Sequence, residues 1–108
     1  MDYDERHWGK FQVLDRGPAH TVKKLTVRPG GRLSYQHHEH RSEHWTVASG
    51  VAEVTREGDV FHMTVGDSCD IPLGAKHRLA NPGDADLVII EVWFGDKTSE
   101  DDIIRHPD

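Results

Sequence analysis

The sequence predicts an all-β fold, a small antiparallel β-barrel of the jelly-roll type. Three observations carry that prediction. Apolar residues come in short runs with β-branched character. Glycine, proline and charged turns separate these runs at short intervals. No stretch reads like a long helix.

Taken in order, residues 1–10 form a polar N-terminal arm, in which Trp8, with Phe11 just beyond, provides a side able to pack on the barrel. Strands are then expected at 20–27, 32–36, 44–49, 52–56, 60–64, 68–71, 77–80 and 87–93. The breaks between them fall at Pro29-Gly30-Gly31, Ser49-Gly50, Glu57-Gly58-Asp59, Gly66-Asp67, Pro72-Leu73-Gly74 and Asn81-Pro82-Gly83. Glu57-Gly58-Asp59 lies between two strand candidates and reads as a hairpin turn. Leu87-Val88-Ile89-Ile90 is apolar on both faces. One face serves the core, and the other calls for a cover, which points to a homodimer. The tail, about 95–108, is polar and acidic apart from Ile103-Ile104, and reads as a short flap or a frayed end.

Composition narrows the function. A chain of 108 residues fits one domain, expected to span 1–108. The net charge of -6 argues against a nucleic-acid or anionic-membrane surface, while allowing a local basic pocket. No apolar stretch reaches membrane-span length and no signal-peptide pattern opens the chain, so a cytoplasmic protein is expected. The one cysteine, Cys69, sits in a strand candidate with no base at a meaningful spacing, and reads as a packing residue.

Two clusters carry chemistry. The first reads Gly30-x5-Gln36-x-His38-x4-Glu43-x6-Gly50, and the second Gly66-x5-Pro72-x-Gly74-x2-His77-x3-Asn81. Strand parity puts Gln36 and His38 on one face, Glu43 with Trp45 and Val47 on another, and His77 with Leu79 on a third. If those faces share one interior, Gln36, His38, Glu43 and His77 close on one divalent metal. Nitrogen and oxygen donors of this kind suit zinc, manganese, iron, cobalt or nickel. His40 lies on the Gln36/His38 face and is a rival ligand or a neighbour of the site.

The run Gln36-His37-His38-Glu39-His40-Arg41-Ser42-Glu43-His44-Trp45, the stretch Val22-Lys23-Lys24-Leu25-Thr26-Val27-Arg28-Pro29-Gly30, the segment Ile71-Pro72-Leu73-Gly74-Ala75-Lys76-His77 and the tail Glu100-Asp101-Asp102-Ile103-Ile104-Arg105 resemble the cupin superfamily. More closely, they resemble the C-terminal cupin domain of type II mannose-6-phosphate isomerase/mannose-1-phosphate guanylyltransferase. The resemblance covers nearly the whole chain. It implies that Gln36 stands where many cupins place a histidine, and that the metal is zinc or another divalent transition ion.

The resemblance further implies a metal-dependent sugar-phosphate isomerase converting mannose 6-phosphate to fructose 6-phosphate. The alternatives are a non-catalytic carbohydrate-binding or regulatory cupin, and another small metal cupin enzyme such as a dioxygenase. No Gly-rich nucleotide loop is present, so guanylyltransferase activity is not expected. An isomerase needs a base, a Lewis acid and a cationic subsite for phosphate. Candidates for the base and its helpers are Glu91, which interrupts an apolar strand, together with Lys24 and His40. Candidates for substrate binding are Arg41, Arg78, Tyr35 and Lys24.

Overall fold

The computed structural model describes residues 3–96 and 101–107. They form strands β1 (Tyr3–Arg6), β2 (Gly9–Arg16), β3 (His20–Val27), β4 (Tyr35–His37), β5 (Ser42–Ser49), β6 (Ala52–Arg56), β7 (Asp59–Met63), β8 (Ser68–Ile71), β9 (His77–Ala80), β10 (Leu87–Phe94) and β11 (Ile104–His106). No helix occurs among the described residues. A six-stranded sheet runs β1-β2-β3-β10-β5-β8, and a five-stranded sheet runs β11-β4-β9-β6-β7. The expected all-β jelly roll is therefore present, built as two antiparallel sheets rather than as one continuously bonded barrel.

The core lies between the sheets. Leu25, Val27, Val47, Leu87 and Ile89 of the larger sheet pack in one cluster with Ala52, Val54, Met63 and Leu79 of the smaller. Alternation along the strands explains why. β3 turns Thr21, Lys23, Leu25 and Val27 inward, β5 turns Glu43, Trp45 and Val47 inward, and β10 turns Leu87, Ile89, Glu91 and Trp93 inward. Each row is aliphatic at one end and polar or aromatic at the other. Because the strands are antiparallel and in register, the polar ends coincide: Glu91 is opposite Lys23 on one side and Trp45 on the other, and Trp93 is opposite Thr21 and Glu43. One half of the interior is thus a dry core and the other half a site.

Both chain ends contribute strands at sheet edges. β1 and the start of β2 make an antiparallel pair at the edge of the larger sheet. Trp8 and Phe11 are buried, while the intervening Lys10 is exposed. The tail supplies β11, which pairs with β4 at the edge of the smaller sheet. Positions 1–2, 97–100 and 108 of the expected arm and tail, Glu100 among them, lie outside the described residues. The strand expected at 32–36 begins only at Tyr35, with Arg32 making an isolated bridge to Ala80.

Local turn chemistry follows the sequence where the backbone demands it. Glu57 and Gly58, at φ 49° and 84°, connect β6 to β7 with the paired left-handed residues of a tight hairpin. At Gly95, just past β10, a Cβ would lie 2.2 Å from the carbonyl oxygen of His40. Only glycine lets the two backbones approach this closely, and the approach holds the His40-Arg41 turn beside the site. On the outer face of β10, Val88, Ile90 and Val92 are half-buried and Phe94 is exposed.

Candidate metal centre

Gln36 and His77 are cross-strand partners on β4 and β9, so their side chains leave the smaller sheet side by side. His38 follows β4 directly, and Glu43 enters from β5 across the interior. His38, Glu43 and His77 each offer a ligand atom, all within 4.8 Å of one another. His38 Nε2 is 3.2 Å from His77 Nε2 and 3.0 Å from Glu43 Oε2. All three residues are buried, and Gln36 sits at the edge of burial.

The outer faces of the two rings decide what the inner faces can do. His77 Nδ1 is 2.9 Å from the carbonyl oxygen of Ala75, and His38 Nδ1 is 2.6 Å from that of Asp102. A carbonyl only accepts, so each Nδ1 carries the proton and donates it. In the neutral rings each Nε2 then has a bare lone pair. Two such lone pairs and a carboxylate oxygen converge on one small volume. Gln36 donates its amide nitrogen to the Ser34 carbonyl and hydroxyl, at 3.2 and 3.1 Å, which leaves its amide oxygen for a cation. This donor set fits a divalent metal.

Electrostatics agrees. Burial works to raise the Glu43 carboxyl, but in the metal-free site the His38 ring, when protonated on Nε2, and the charges of Arg41 and of protonated His77 outweigh it and hold Glu43 well below the usual carboxylate range. Burial lowers His77, against the pull of Glu43, and so favours the neutral ring that a metal needs. Arg41 Nε donates to Glu43 Oε2 at 2.8 Å, and Trp45 Nε1 donates to Glu43 Oε1 at 2.8 Å, so both carboxylate oxygens are aimed.

The trio lines a cavity of about 530 Å³ that extends between the sheets. Arg41 and Glu91 also line it. The Arg41 guanidinium carbon is 3.5 Å from the Trp93 ring centroid, a stacked cation–π contact. Glu91 accepts from Trp93 Nε1 at 3.0 Å. Burial, then the neighbouring charge of Glu43, pushes Glu91 up to about 8, against the opposing pull of Lys23, the Trp93 hydrogen bond and Arg41.

Four other sequence candidates do not line this cavity. Lys24 is exposed on the outer face of β3, because strand alternation sends Lys23 inward instead. Tyr35 and Arg78 are one residue from Gln36 and His77, and so lie on the other side of their strands, with Arg78 5.5 Å from the Tyr35 ring centroid. His40 is exposed, and its backbone N–H donates to Asp102 Oδ2 at 2.9 Å. Cys69 is half-buried, and burial pushes its thiol up to about 11, which suits a packing role better than a nucleophile.

Several site residues escaped the sequence reading. Lys23, Arg6, Arg105 and Asp101 line the cavity, and Asp102 supports it from behind. For Lys23 the signal was there: it shares parity with Leu25 and Val27. The others come from the two chain ends, where short polar strands carry little periodicity.

Comparison with known proteins adds a lineage. The family described as Mannose-6-phosphate isomerase C-terminal matches residues 3–108. The xanthan biosynthesis protein XanB of Xanthomonas campestris pv. campestris (strain B100) is 50% identical over 103 residues, which cover 95% of this chain and 22% of XanB. The mannose-1-phosphate guanylyltransferase of Escherichia coli (strain K12) is 48% identical over 103 residues, again 95% of this chain and 22% of the relative. The chain thus spans about a fifth of the length of these relatives. A cupin 2 conserved barrel domain protein from Salinispora arenicola CNS-205 is 27% identical, with a TM-score of 0.70 over 79% of this chain and 74% of that one.

These relatives correct the functional expectation. The resemblance implied a sugar-phosphate isomerase without guanylyltransferase activity, with a non-catalytic carbohydrate-binding or regulatory cupin and another small metal cupin enzyme such as a dioxygenase as the alternatives. A relative 48% identical across nearly the whole chain carries the guanylyltransferase name instead. The physical reason for the error is that the motifs report the metal-binding fold, and one fold serves many activities.

Proposed function

Because the chain belongs to the mannose-6-phosphate isomerase C-terminal family of cupins, we propose that it is the metal-holding, sugar-phosphate-binding unit of a protein that serves mannose-1-phosphate guanylyl transfer. The observation that carries this reading is the convergence of His38, Glu43 and His77 at a cavity that is also lined by Arg41, Lys23, Arg6 and Arg105. A metal beside several cations suits a small polyhydroxylated anion, and mannose 1-phosphate is the substrate in the name of the Escherichia coli relative.

His38, Glu43, His77 and the Gln36 amide oxygen hold the ion in this reading. Zinc suits two imidazoles, a carboxylate and an amide, and manganese, iron, cobalt and nickel accept the same donors. The bound metal supplies Lewis-acid polarisation of a sugar oxygen. Arg41 fixes Glu43 and presents its guanidinium face to Trp93, keeping the ligand carboxylate ionised and oriented. Glu91, protonated over much of the neutral range, donates a hydrogen bond to a sugar hydroxyl rather than repelling the phosphate.

The unit acts as one domain over 1–108. It pairs with a second copy through the outer face of β10, where Val88, Ile90, Val92 and Phe94 lie in a row. No helix among the described residues is long and apolar enough to cross a membrane, and the net charge of -6 disfavours nucleic acid, which supports a cytoplasmic setting.

Isothermal titration calorimetry of the zinc-loaded chain with mannose 1-phosphate tests this reading. Saturable binding that disappears when a chelator strips the metal is expected. Binding that is absent, or indifferent to the metal, overturns it. Exchanging the matching segment of the Escherichia coli relative for this chain tests the setting: guanylyl transfer by the chimera should exceed that of the same relative with the segment deleted.

A further inference from the structure

A second groove lies outside the metal-side cavity. It has a volume of about 500 Å³ and follows the loop between β3 and β4, against the turn between β1 and β2. Leu33 and Ser34 belong to both walls. The rest of the groove is built by His7 of the turn and by the loop from Arg28 to Arg32. Its wall thus holds two guanidiniums and an imidazole, and none of the described residues that line it is acidic. In a chain of net charge -6 this is a local reversal of charge.

Backbone bonds set the shape of this loop. The Arg28 N–H donates to the Trp8 carbonyl at 2.9 Å, which pins the loop to the His7-Trp8 turn. The Gly31 N–H donates to the Arg28 carbonyl at 2.8 Å and closes a tight turn between the two arginines. A Cβ at Gly31 would lie 2.6 Å from the Trp8 carbonyl oxygen, so only glycine lets turn and loop approach this closely. Buried Asn81 fastens the floor from below. Its carbonyl accepts from the Gly30 N–H at 3.1 Å, and its N–H donates to the Gly31 carbonyl at 2.9 Å. The Leu33 N–H donates to the Leu79 carbonyl at 3.0 Å and ties the far end of the loop to β9. The basic side chains are therefore mounted on a fixed frame, which lowers the ordering cost of binding a ligand.

We propose that this groove is a binding site for a phosphoryl anion, separate from the metal-side cavity. The basic groups stand at three points of the chain: His7 on the turn, Arg28 at the start of the loop and Arg32 past its tight turn. A carboxylate satisfies one guanidinium fork edge to edge, whereas a tetrahedral phosphate dianion accepts from several directions at once. Pro29 and Leu33 add apolar surface beside the cations, where the organic body of a phosphate ester fits. The groove also adjoins the metal centre. Ser34, on its wall, accepts from the Gln36 amide nitrogen through its carbonyl at 3.2 Å and its hydroxyl at 3.1 Å. An anion seated in the groove is thus next to the residue that aims a candidate metal ligand. The site stands whether or not the cavity takes a sugar phosphate.

The test is a titration of the isotope-labelled, zinc-loaded chain with inorganic phosphate at constant ionic strength, followed by NMR. The amide signals of Gly30 and Gly31 and the Nε–H signals of Arg28 and Arg32 should shift and saturate. The indole signals of Trp45 and Trp93, which line the metal-side cavity, report that site separately. Arg28 and Arg32 are exposed, so the double variant Arg28→Gln/Arg32→Gln should retain the fold, seen as an unchanged spectrum away from the loop. Read from the Gly30 and Gly31 amides, it should bind phosphate at least about tenfold more weakly. The parent chain should bind acetate at least about tenfold more weakly than phosphate. Guanosine monophosphate distinguishes the source of the anion: tighter binding than that of phosphate assigns the groove to an ester, equal or weaker binding assigns it to the free anion, and both keep the site. Shifts confined to the indole signals, an acetate affinity equal to that for phosphate, or an unchanged affinity in the double variant overturns it.

Discussion

His38 Nδ1 donates to the backbone carbonyl of Asp102 at 2.6 Å, which ties a candidate metal ligand to the tail of the chain. The same residue clamps the ligand loop a second way: Asp102 Oδ1 and Oδ2 accept the backbone N–H groups of Glu39 and His40, each at 2.9 Å. Desolvation works to raise the Asp102 carboxyl, but these two amides, joined by the charge of Arg41, hold it below its usual range. The tail therefore orients His38 from behind while leaving its Nε2 toward His77. Asp102→Ala removes the clamp, and zinc affinity should fall about tenfold to a hundredfold. Competition against a chromophoric chelator measures this directly. An affinity equal to that of the parent chain would show that the Asp102 carboxylate has no part in the centre.

That coupling bears on what a sequence can disclose. His38, Glu43 and His77 were recognisable because metal ligands need particular atoms at particular spacings, and strand parity then assigns the faces. Several strands were recognisable for a similar reason: β3, β6, β8 and β9 fall where β-branched runs between glycine breaks put them. The strands at the two chain ends lack that signal. β1 and β2 have solvent on one face and little periodicity, and the three-residue β11 is defined by its partner β4. Lys23 and Lys24 show the opposite case. Both are lysines in one strand, and only the parity of Leu25 and Val27 tells which one enters the cavity.

Glu91 should make stability depend on pH with a sign opposite to that of most carboxylates. Unfolded, it ionises near its ordinary 4.5; folded, burial and the charge of Glu43 push it up to about 8. Between those values the folded chain binds the extra proton. Unfolding releases it, so stability is full below about 4.5 and declines as pH rises through about 8. The decline amounts to on the order of 5 kcal/mol. Glu91→Gln keeps an oxygen for Trp93 Nε1 and cannot ionise. In metal-stripped protein, the melting temperature of the parent chain should fall relative to that of the variant between pH 5 and pH 8. Parallel curves would place Glu91 in a more hydrated setting.

Asn81, 2% exposed, joins segments distant in the sequence. Its Nδ2 donates to the carbonyls of Val27 at 2.9 Å and Ala85 at 2.8 Å, and its Oδ1 accepts from Gly83 N at 2.9 Å. Asn81→Ala leaves those groups without their partners, at a cost of about 3 kcal/mol. Urea unfolding should show a lower midpoint with an unchanged slope. A loss below about 0.5 kcal/mol would mean that water replaces all three bonds.

Metal binding itself should be readable as stability. Two bare Nε2 atoms 3.2 Å apart and a carboxylate oxygen 3.0 Å from one of them gain a shared partner when a cation enters. A ligand that binds only the folded state, at a hundred times its dissociation constant, adds about 2.7 kcal/mol. For a domain of this length that corresponds to a rise in melting temperature of about 10 °C or more. His38→Ala removes one imidazole, frees Glu43 from its neighbour and should abolish the rise. Gln36→Ala should keep most of it, because a neutral amide oxygen donates more weakly than the other three ligands and its nitrogen is already occupied by Ser34. If zinc raises the melting temperature of His38→Ala as much as that of the parent chain, the ion binds elsewhere, and the ligand set built on His38, Glu43 and His77 is wrong.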